Sequence, residues 1–271
     1  MKKIMLIALS ALLVAGCKDD YYEPLPHITP SRIQLSQVSS GIGTPSVTNI
    51  RTYLFNPEGY LTQATIEQDY GFPEIENTIY TSTVTYTDGK VVVDNGHGTV
   101  ATYELNINGC AANCELKEGS YVRQYAFTYL TNADGRPYLR SLTETIGDNE
   151  TAAMEFDYLT AEATLRISYR TGNEAPVYYV ATATSKQLNL SRIPNLFISE
   201  LYPLSYHLPA LYGRLLGEPY PYLIDLILPE GTDEGITYRY TLNDNGMVSA
   251  CTETITNRGR TYPRDVSYVI E

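Results

Sequence analysis

The side chains that could carry chemistry in this 271-residue chain are few: three histidines, four cysteines and a scatter of carboxylates. His27, His97 in a Gly96-His97-Gly98 turn, and His207 in an apolar stretch show no H-x-x-x-H spacing, and no C-x-x-C occurs, so no zinc or other metal site is expected. No G-x-S-x-G elbow, phosphate loop or G-x-G-x-x-G fingerprint is present; Gly41-Ile42-Gly43 lies in a linker-like stretch without the helix such a motif needs. Cofactor chemistry therefore has no footing. Two of Glu104, Glu115, Glu144, Glu155 and Asp157 facing each other across strands would suit glycoside hydrolysis, which needs two carboxylates ~5–9.5 Å apart. That keeps a surface hydrolase as the alternative to a non-enzymatic reading. The acidic run from Glu230 to Glu234 lacks the alternating pattern of a calcium loop and reads as a solvated hairpin turn.

Cys17 invites a different chemistry. Lys2 and Lys3 precede an apolar run from Ile4 to Val14, about half the ~20 residues of a membrane-spanning helix, and Val14-Ala15-Gly16-Cys17 closes it. Small residues followed by cysteine at this place form a lipobox: the sulfur takes a diacylglycerol, and cleavage frees the amine for a further acyl chain, giving a stable anchor. Residues 1–16 are expected to be removed. Lys18-Asp19-Asp20, next to the lipid, resembles the Lys-acidic-acidic signal that sends lipoproteins to the outer face of the outer membrane in Bacteroidetes-type bacteria. The expected location is the outer membrane facing the exterior, with the periplasmic face as alternative. Residues 17–30 carry Pro24, Pro26 and Pro30 and read as a tether, able to span on the order of 40 Å.

Behind these residues stands a chain built for β-structure. It has 25 Tyr against 5 Phe and no Trp, rings that pack on one side and keep a hydroxyl on the other. Hydrophobic residues make up 43%, enough for a sizeable core, and the formal net charge of -12 repels phosphate backbones, so nucleic acid is not an expected partner. Arg32 to Gln37 alternates polar and apolar residues as a first strand.

A repeated corner follows. Tyr53 to Gly59, Tyr103 to Gly109, Tyr129 to Gly135 and Tyr240 to Gly246 all fit Y-x-[LFT]-N-x-x-G. The expected turn residues are Asn56 and Gly59, Asn106 and Gly109, Asn132 and Gly135, and Asn243 and Gly246: the Asn opens the turn through its side chain and the Gly supplies a positive φ. Asp88-Gly89 is a shorter relative. Cys114 and Cys251 each stand five residues after the Gly of a copy, hence at equivalent strand positions. Cys110 and Cys114 on one extended strand would be ~13 Å apart, too far for a disulfide without a bulge. A Cys114–Cys251 bridge is open outside the cytoplasm, but small buried side chains are the preferred reading.

Alternating apolar positions and the absence of helical period predict an all-β meander of roughly a dozen antiparallel strands over residues 31–271, a size at which a sheet curls or closes into a barrel. Residues 186–230 break the pattern: leucine-rich and punctuated by Pro194, Pro203, Pro209 and Pro219, they predict short helical turns docked on the concave face as a plug or cap. Arg192, Glu200, His207, Arg214 and Asp225 within the segment argue against insertion into lipid.

The lipobox, the tether, the Y-x-x-N-x-x-G corners, the Leu-rich segment and a last strand pair ending at Tyr268 together resemble the Bacteroidetes lipoprotein family of unknown function described as having a porin-like fold; the corners are also similar to the YD repeats of large secreted shell proteins. The resemblance implies a curved or barrel-like sheet on a lipid tether and transfers no catalytic residue. Thr, Asn and Glu are too frequent on the strands for a lipid-facing band, so a sheet outside the bilayer is expected. The functional expectation is a lipid-anchored envelope protein acting as a binding or accessory module. Its tyrosine-rich concave or edge surface would meet a glycan or an envelope protein. A purely structural envelope component is the bland alternative.

Overall fold

The structure, a computed structural model, describes residues 30–39, 47–72, 74–132 and 135–271. Cys17, Lys18, Asp19, Asp20, His27 and the Gly41-Ile42-Gly43 stretch lie outside the described residues. The strands run in order β1 (Arg32–Ser39), β2 (Val47–Phe55), β3 (Leu61–Asp69), β4 (Thr78–Thr87), β5 (Lys90–Asp94), β6 (Thr99–Leu105), β7 (Ala111–Glu118) and β8 (Tyr121–Thr131). They continue as β9 (Pro137–Ile146), β10 (Asn149–Leu159), β11 (Thr164–Thr171), β12 (Val177–Thr182), β13 (Leu226–Pro229), β14 (Ile236–Leu242), β15 (Val248–Asn257) and β16 (Arg260–Ile270). Each strand pairs antiparallel with its neighbours in sequence, and β1 pairs with β16, so the meander closes into a barrel. The sheet thus has sixteen described strands where alternation alone suggested about a dozen.

The meander sorts its connections onto two ends. Pro30, Glu271 and all four Y-x-x-N-x-x-G corners lie at one end, called here the tether end. The β3–β4, β5–β6, β7–β8, β9–β10, β11–β12, β13–β14 and β15–β16 connections lie at the other, the distal end.

The corners share one hydrogen-bond scheme. The N–H of Gly59, Gly109, Gly135 and Gly246 donates to the carbonyl of the Asn three residues earlier, at 2.9, 3.0, 2.9 and 2.9 Å. The Asn side chain caps the turn where its bonds are described: Asn106 Oδ1 accepts from the N–H of Asn108 and Cys110 at 2.9 and 3.1 Å, and Asn243 Oδ1 from Asn245 and Met247 at 3.0 Å each. The glycines have φ between 75° and 86°, a region that costs any residue with a Cβ. The ladder slips by one residue beside each corner, between Leu54 and Phe55, Glu104 and Leu105, Thr241 and Leu242, and two places earlier in the motif between Thr128 and Tyr129. In consequence Tyr53 faces Ala64, Tyr103 faces Cys114 and Tyr240 faces Cys251 across the ladder. Asn95-Gly96-His97-Gly98 at the distal end forms a similar turn without the tyrosine, its Asn95 Oδ1 accepting from His97 and Thr99.

Residues 183–225, between β12 and β13, fold back into the lumen. They contain α1 (Leu196–Glu200), capped by Asn195, a 3-10 turn at Leu204–His207, and α2 (Leu208–Tyr212). The prolines hold these helices to about a turn and a half, while Leu196, Ile198, Leu204, Leu215, Leu216 and Ile224 join the inward strand residues in a single buried core. The tyrosines of the four corners reach in to hold it. Tyr53 stacks on Tyr212 with ring centroids 3.9 Å apart, and Tyr103 Oη lies 2.9 Å from His207 Nδ1. Tyr129 Oη donates to the carbonyl of Ala111 at 2.6 Å and reaches that of Leu215, and Tyr240 donates to that of Ile224 at 2.9 Å. The concave tyrosines are therefore spent on the chain's own plug, and the expectation that they present an open stacking face gives way to this. Two hydrogen bonds are lost in Asn106→Ala, so its thermal midpoint should fall by the equivalent of about 1 kcal/mol, with Asn108→Ala unchanged in the same melting experiment.

Candidate functional site

The buried polar groups gather toward the distal half of the lumen. Glu144 on β9 is fully buried and accepts from Tyr125 Oη at 2.8 Å, Arg123 Nη1 at 2.9 Å and Thr151 Oγ1 at 2.6 Å, and from the hydroxyl of Tyr202 in the plug. Burial alone would raise its pKa; the four donors outweigh that and hold the carboxyl below the usual range. Arg123 is itself flanked by the rings of Tyr121 and Tyr206, each 5.0 Å from the guanidinium carbon. A second chain of charges runs from Arg51 through Glu200 of α1 to Arg264 and Glu253: Arg51 and Arg264 donate to Glu200 at 2.8 and 3.0 Å, Arg264 also pairs with Glu253, and Tyr238 Oη donates to Glu253 at 2.9 Å. Glu144, through Tyr202, and Glu200, through Arg51 and Arg264, thereby tie the plug to the wall.

The other carboxylates weighed for hydrolysis point outward. Glu104 pairs with Lys90 at 3.1 Å, Glu115 with Lys117 at 2.6 Å, and Glu155 and Asp157 are exposed on β10. None of the five lines a described cavity with another. Glu234, in the acidic loop, accepts from the N–H groups of Arg258 and Gly259 at 2.6 and 2.8 Å and so latches two distal turns together.

His207 and the cysteines are enclosed. His207 packs edge-on against Tyr125 and Phe127, and burial holds its pKa down to about 3. Cys110, Cys114 and Cys251 are buried free thiols; burial pushes those of Cys114 and Cys251 up to about 12, far from a reactive thiolate. Cys110 sits in the turn just before β7, the strand that carries Cys114.

Two surfaces remain open. Most of the exposed large apolar side chains among the described residues lie toward the distal end, among them Phe72, Ile75, Tyr80, Tyr121, Tyr178 and Tyr262 of the strands and loops and Tyr206 of the plug, while Tyr60, Ile107 and Val269 lie at the tether end. At the tether end a cavity of about 750 Å³ lies between the corners and the plug, lined among others by Pro30, Phe55, Tyr60, Tyr86, Arg192 and Arg214. Arg192 donates through Nε to Glu218 at 3.0 Å and pairs through Nη2 as well, leaving Nη1 without a partner. In the sequence these two arginines stood out only as charges in an apolar stretch, Tyr86 only as the first residue of the shorter Tyr86-Thr87-Asp88-Gly89 turn, and Tyr60 had no distinguishing spacing.

The comparisons with known proteins agree with this architecture. Residues 53–250 match the family model described as a domain of unknown function (DUF4595) with porin-like fold. The chain belongs to this family. A porin-like protein from Bacteroides uniformis of known crystal structure is 36% identical over 89% of this chain and 96% of its own, with a TM-score of 0.82. A porin-like protein from Bacteroides vulgatus, also of known crystal structure, is similar in fold alone: it is 10% identical with a TM-score of 0.50, over 89% of this chain and 98% of its own. A comparison with curated proteins finds no match.

The buried imidazole makes this DUF4595 barrel sensitive to mild acid. His207 stays neutral in the folded chain down to about pH 3, whereas the unfolded chain takes the proton near 6.5. Between those values the unfolded state binds more protons, so stability falls on acidification by up to ~1.4 kcal/mol per pH unit. Glu144 adds its own loss below its ordinary 4.5. Melting midpoints should drop from pH 6.5 to 5 in the wild type and stay level there in His207→Gln, with both falling below pH 4.5; an unchanged slope in the variant would contradict the assignment.

Proposed function

We propose that this protein is a lipid-anchored component of the outer membrane that holds its plugged barrel in water at the cell exterior and acts as a non-enzymatic binding or accessory module. The anchor is the diacylated Cys17, and residues 17–30 form the tether. The barrel wall suits water: Gln124, Thr128, Arg140, Glu155, Asp157, Arg166, Arg239 and Asp265 face outward and are exposed, where a membrane-spanning barrel carries an apolar band ~25 Å tall. With its lumen occupied by residues 183–225, the barrel does not offer the aqueous channel that a porin of this strand number encloses.

The observation that carries the binding role is the placement of exposed aromatic and aliphatic side chains at the rim farthest from the point where the tether enters. Rings of this kind, apolar with a polar tip, are the common anchors of glycan and protein recognition, and a contiguous exposed set marks an interaction surface. A lipid tether then leaves that rim free to meet a partner in front of the membrane.

Fractionation and protease shaving of intact cells test the arrangement. Wild type should remain with membranes and be cut from outside, Cys17→Ala should move to the soluble fraction, and a variant with Lys18, Asp19 and Asp20 all changed to alanine should stay membrane-bound but be protected. Persistence of Cys17→Ala at the membrane would overturn the anchor, and protection of the wild type while other surface proteins are cut would place the barrel in the periplasm.

A further inference from the structure

The tether-end cavity is distinct from the distal rim, and its arginines are arranged in a way that packing alone does not require. Arg192 and Arg214 both adopt left-handed backbone conformations, φ 49° and 60°, which an L-residue with a Cβ disfavours and which are ordinarily filled by glycine or asparagine. At the second position the neighbouring glycine does not take the left-handed place: Gly213 has φ -75°, and it is glycine because a Cβ would come within 2.9 Å of the Pro209 carbonyl and 3.2 Å of Leu61. The strain falls on Arg214 instead, so the side chain is kept at a backbone position that disfavours it.

The charge of Arg214 is also uncompensated. It forms no ion pair among the described residues, whereas Glu218, the carboxylate beside it, is clamped in two places by Arg192. Burial, then Arg192, lower the pKa of Arg214 to about 10, against a smaller opposing pull from Glu218; Arg136 adds to the lowering. Glu58 is the other acid in the lining and stands exposed on the β2–β3 corner. A half-buried guanidinium facing a cavity without its own counter-ion is the arrangement that recognises an oxyanion.

The same cavity is lined by an aromatic pair. Tyr60, exposed, and Tyr86, half-buried, have ring centroids 5.0 Å apart and planes inclined by 54°. Phe55 extends this apolar side, and Thr87 and Asn108 add polar groups at the mouth. The cavity of about 750 Å³ lies within the range of small-molecule sites. An anion-binding side chain and tilted tyrosine rings in one cavity fit a sugar ring that carries a negative group.

We infer that the tether-end cavity binds an acidic saccharide, with Arg214 taking its carboxylate, sulfate or phosphate, the buried Arg192 adding positive charge to the lining, and Tyr60 and Tyr86 packing against the ring. The saccharide is supplied either as a free oligosaccharide or on a lipid headgroup, since Pro30, where the tether joins the barrel, lines the same cavity.

Titration of the full mature chain with uronate-, sulfate- and phosphate-bearing oligosaccharides and their neutral parents tests the assignment, beside vesicles bearing an acidic glycolipid and vesicles of phosphatidylglycerol. An acidic probe should bind, weaken with added salt, and lose about tenfold or more in Arg214→Gly and in Tyr60→Ala. Arg214→Gly removes the left-handed strain and should melt no lower than wild type, which separates lost binding from lost folding. Acidic oligosaccharides binding in solution identify a free source, and binding confined to the glycolipid vesicles a lipid-borne one; both support the inference. Neutral parents binding as well as acidic probes, Arg214→Gly binding undiminished, retention on phosphatidylglycerol alone, or no binding by a folded chain would each overturn it. None of these outcomes bears on the distal rim, whose role is decided by cellular location and partner.

Discussion

A closed sheet of sixteen strands encloses more space than its inward side chains can fill. About eight strands is the size at which they suffice; twice that number leaves a channel unless something occupies it. In this protein the occupant is covalently part of the wall: the chain leaves β12, folds through two short helices inside, and returns as β13. The inward rows of the strands, the corner tyrosines and the buried ion pairs all take their arrangement from that filling. Without it, Tyr53, Tyr103, Leu61 and Ile227, all nearly inaccessible, would line a void.

The filling also divides the chemistry of the molecule. Apolar contact holds the plug along its length, while Glu144, through Tyr202, and Glu200, through Arg51 and Arg264 of the wall, fix its position at the distal half. A buried carboxylate with all its acceptors engaged adds specificity of placement more than net stability, because desolvation offsets much of the Coulombic gain. It also leaves no acid idle for catalysis at those positions. What stays open is confined to the two ends, and the ends differ: aromatic and aliphatic at the distal rim, aromatic and cationic beside the tether.

Much of this was legible before the structure. The Asn and Gly of each corner are local signals, fixed by a side-chain cap and a positive φ, and they mark their turns in the chain itself. Proline density in residues 186–230 predicts broken helices, and the apolar content predicts that they are covered. The fate of the tyrosines was not legible. Alternation places Tyr53 and Tyr103 on one face, but it does not say whether that face meets solvent or a segment more than a hundred residues further along. The same holds for Arg214: its importance lies in a backbone angle and a missing partner, and neither has a sequence signature. Glu144 likewise entered as one of five equivalent carboxylates, and only the lumen distinguishes it from Glu155, two strand faces of the same sheet giving them opposite surroundings.

The central claim is that barrel and plug are one cooperative unit. Amide hydrogen exchange on the intact protein measures this directly, because segments that open together exchange with the same free energy. The backbone N–H groups of Ser199, Gly213 and Leu215, bonded within the plug, should exchange as slowly as those in the centres of β6, β8 and β15. Exchange of the plug orders of magnitude faster than the wall would mean that residues 183–225 open independently, leaving a barrel able to conduct, and would contradict the account.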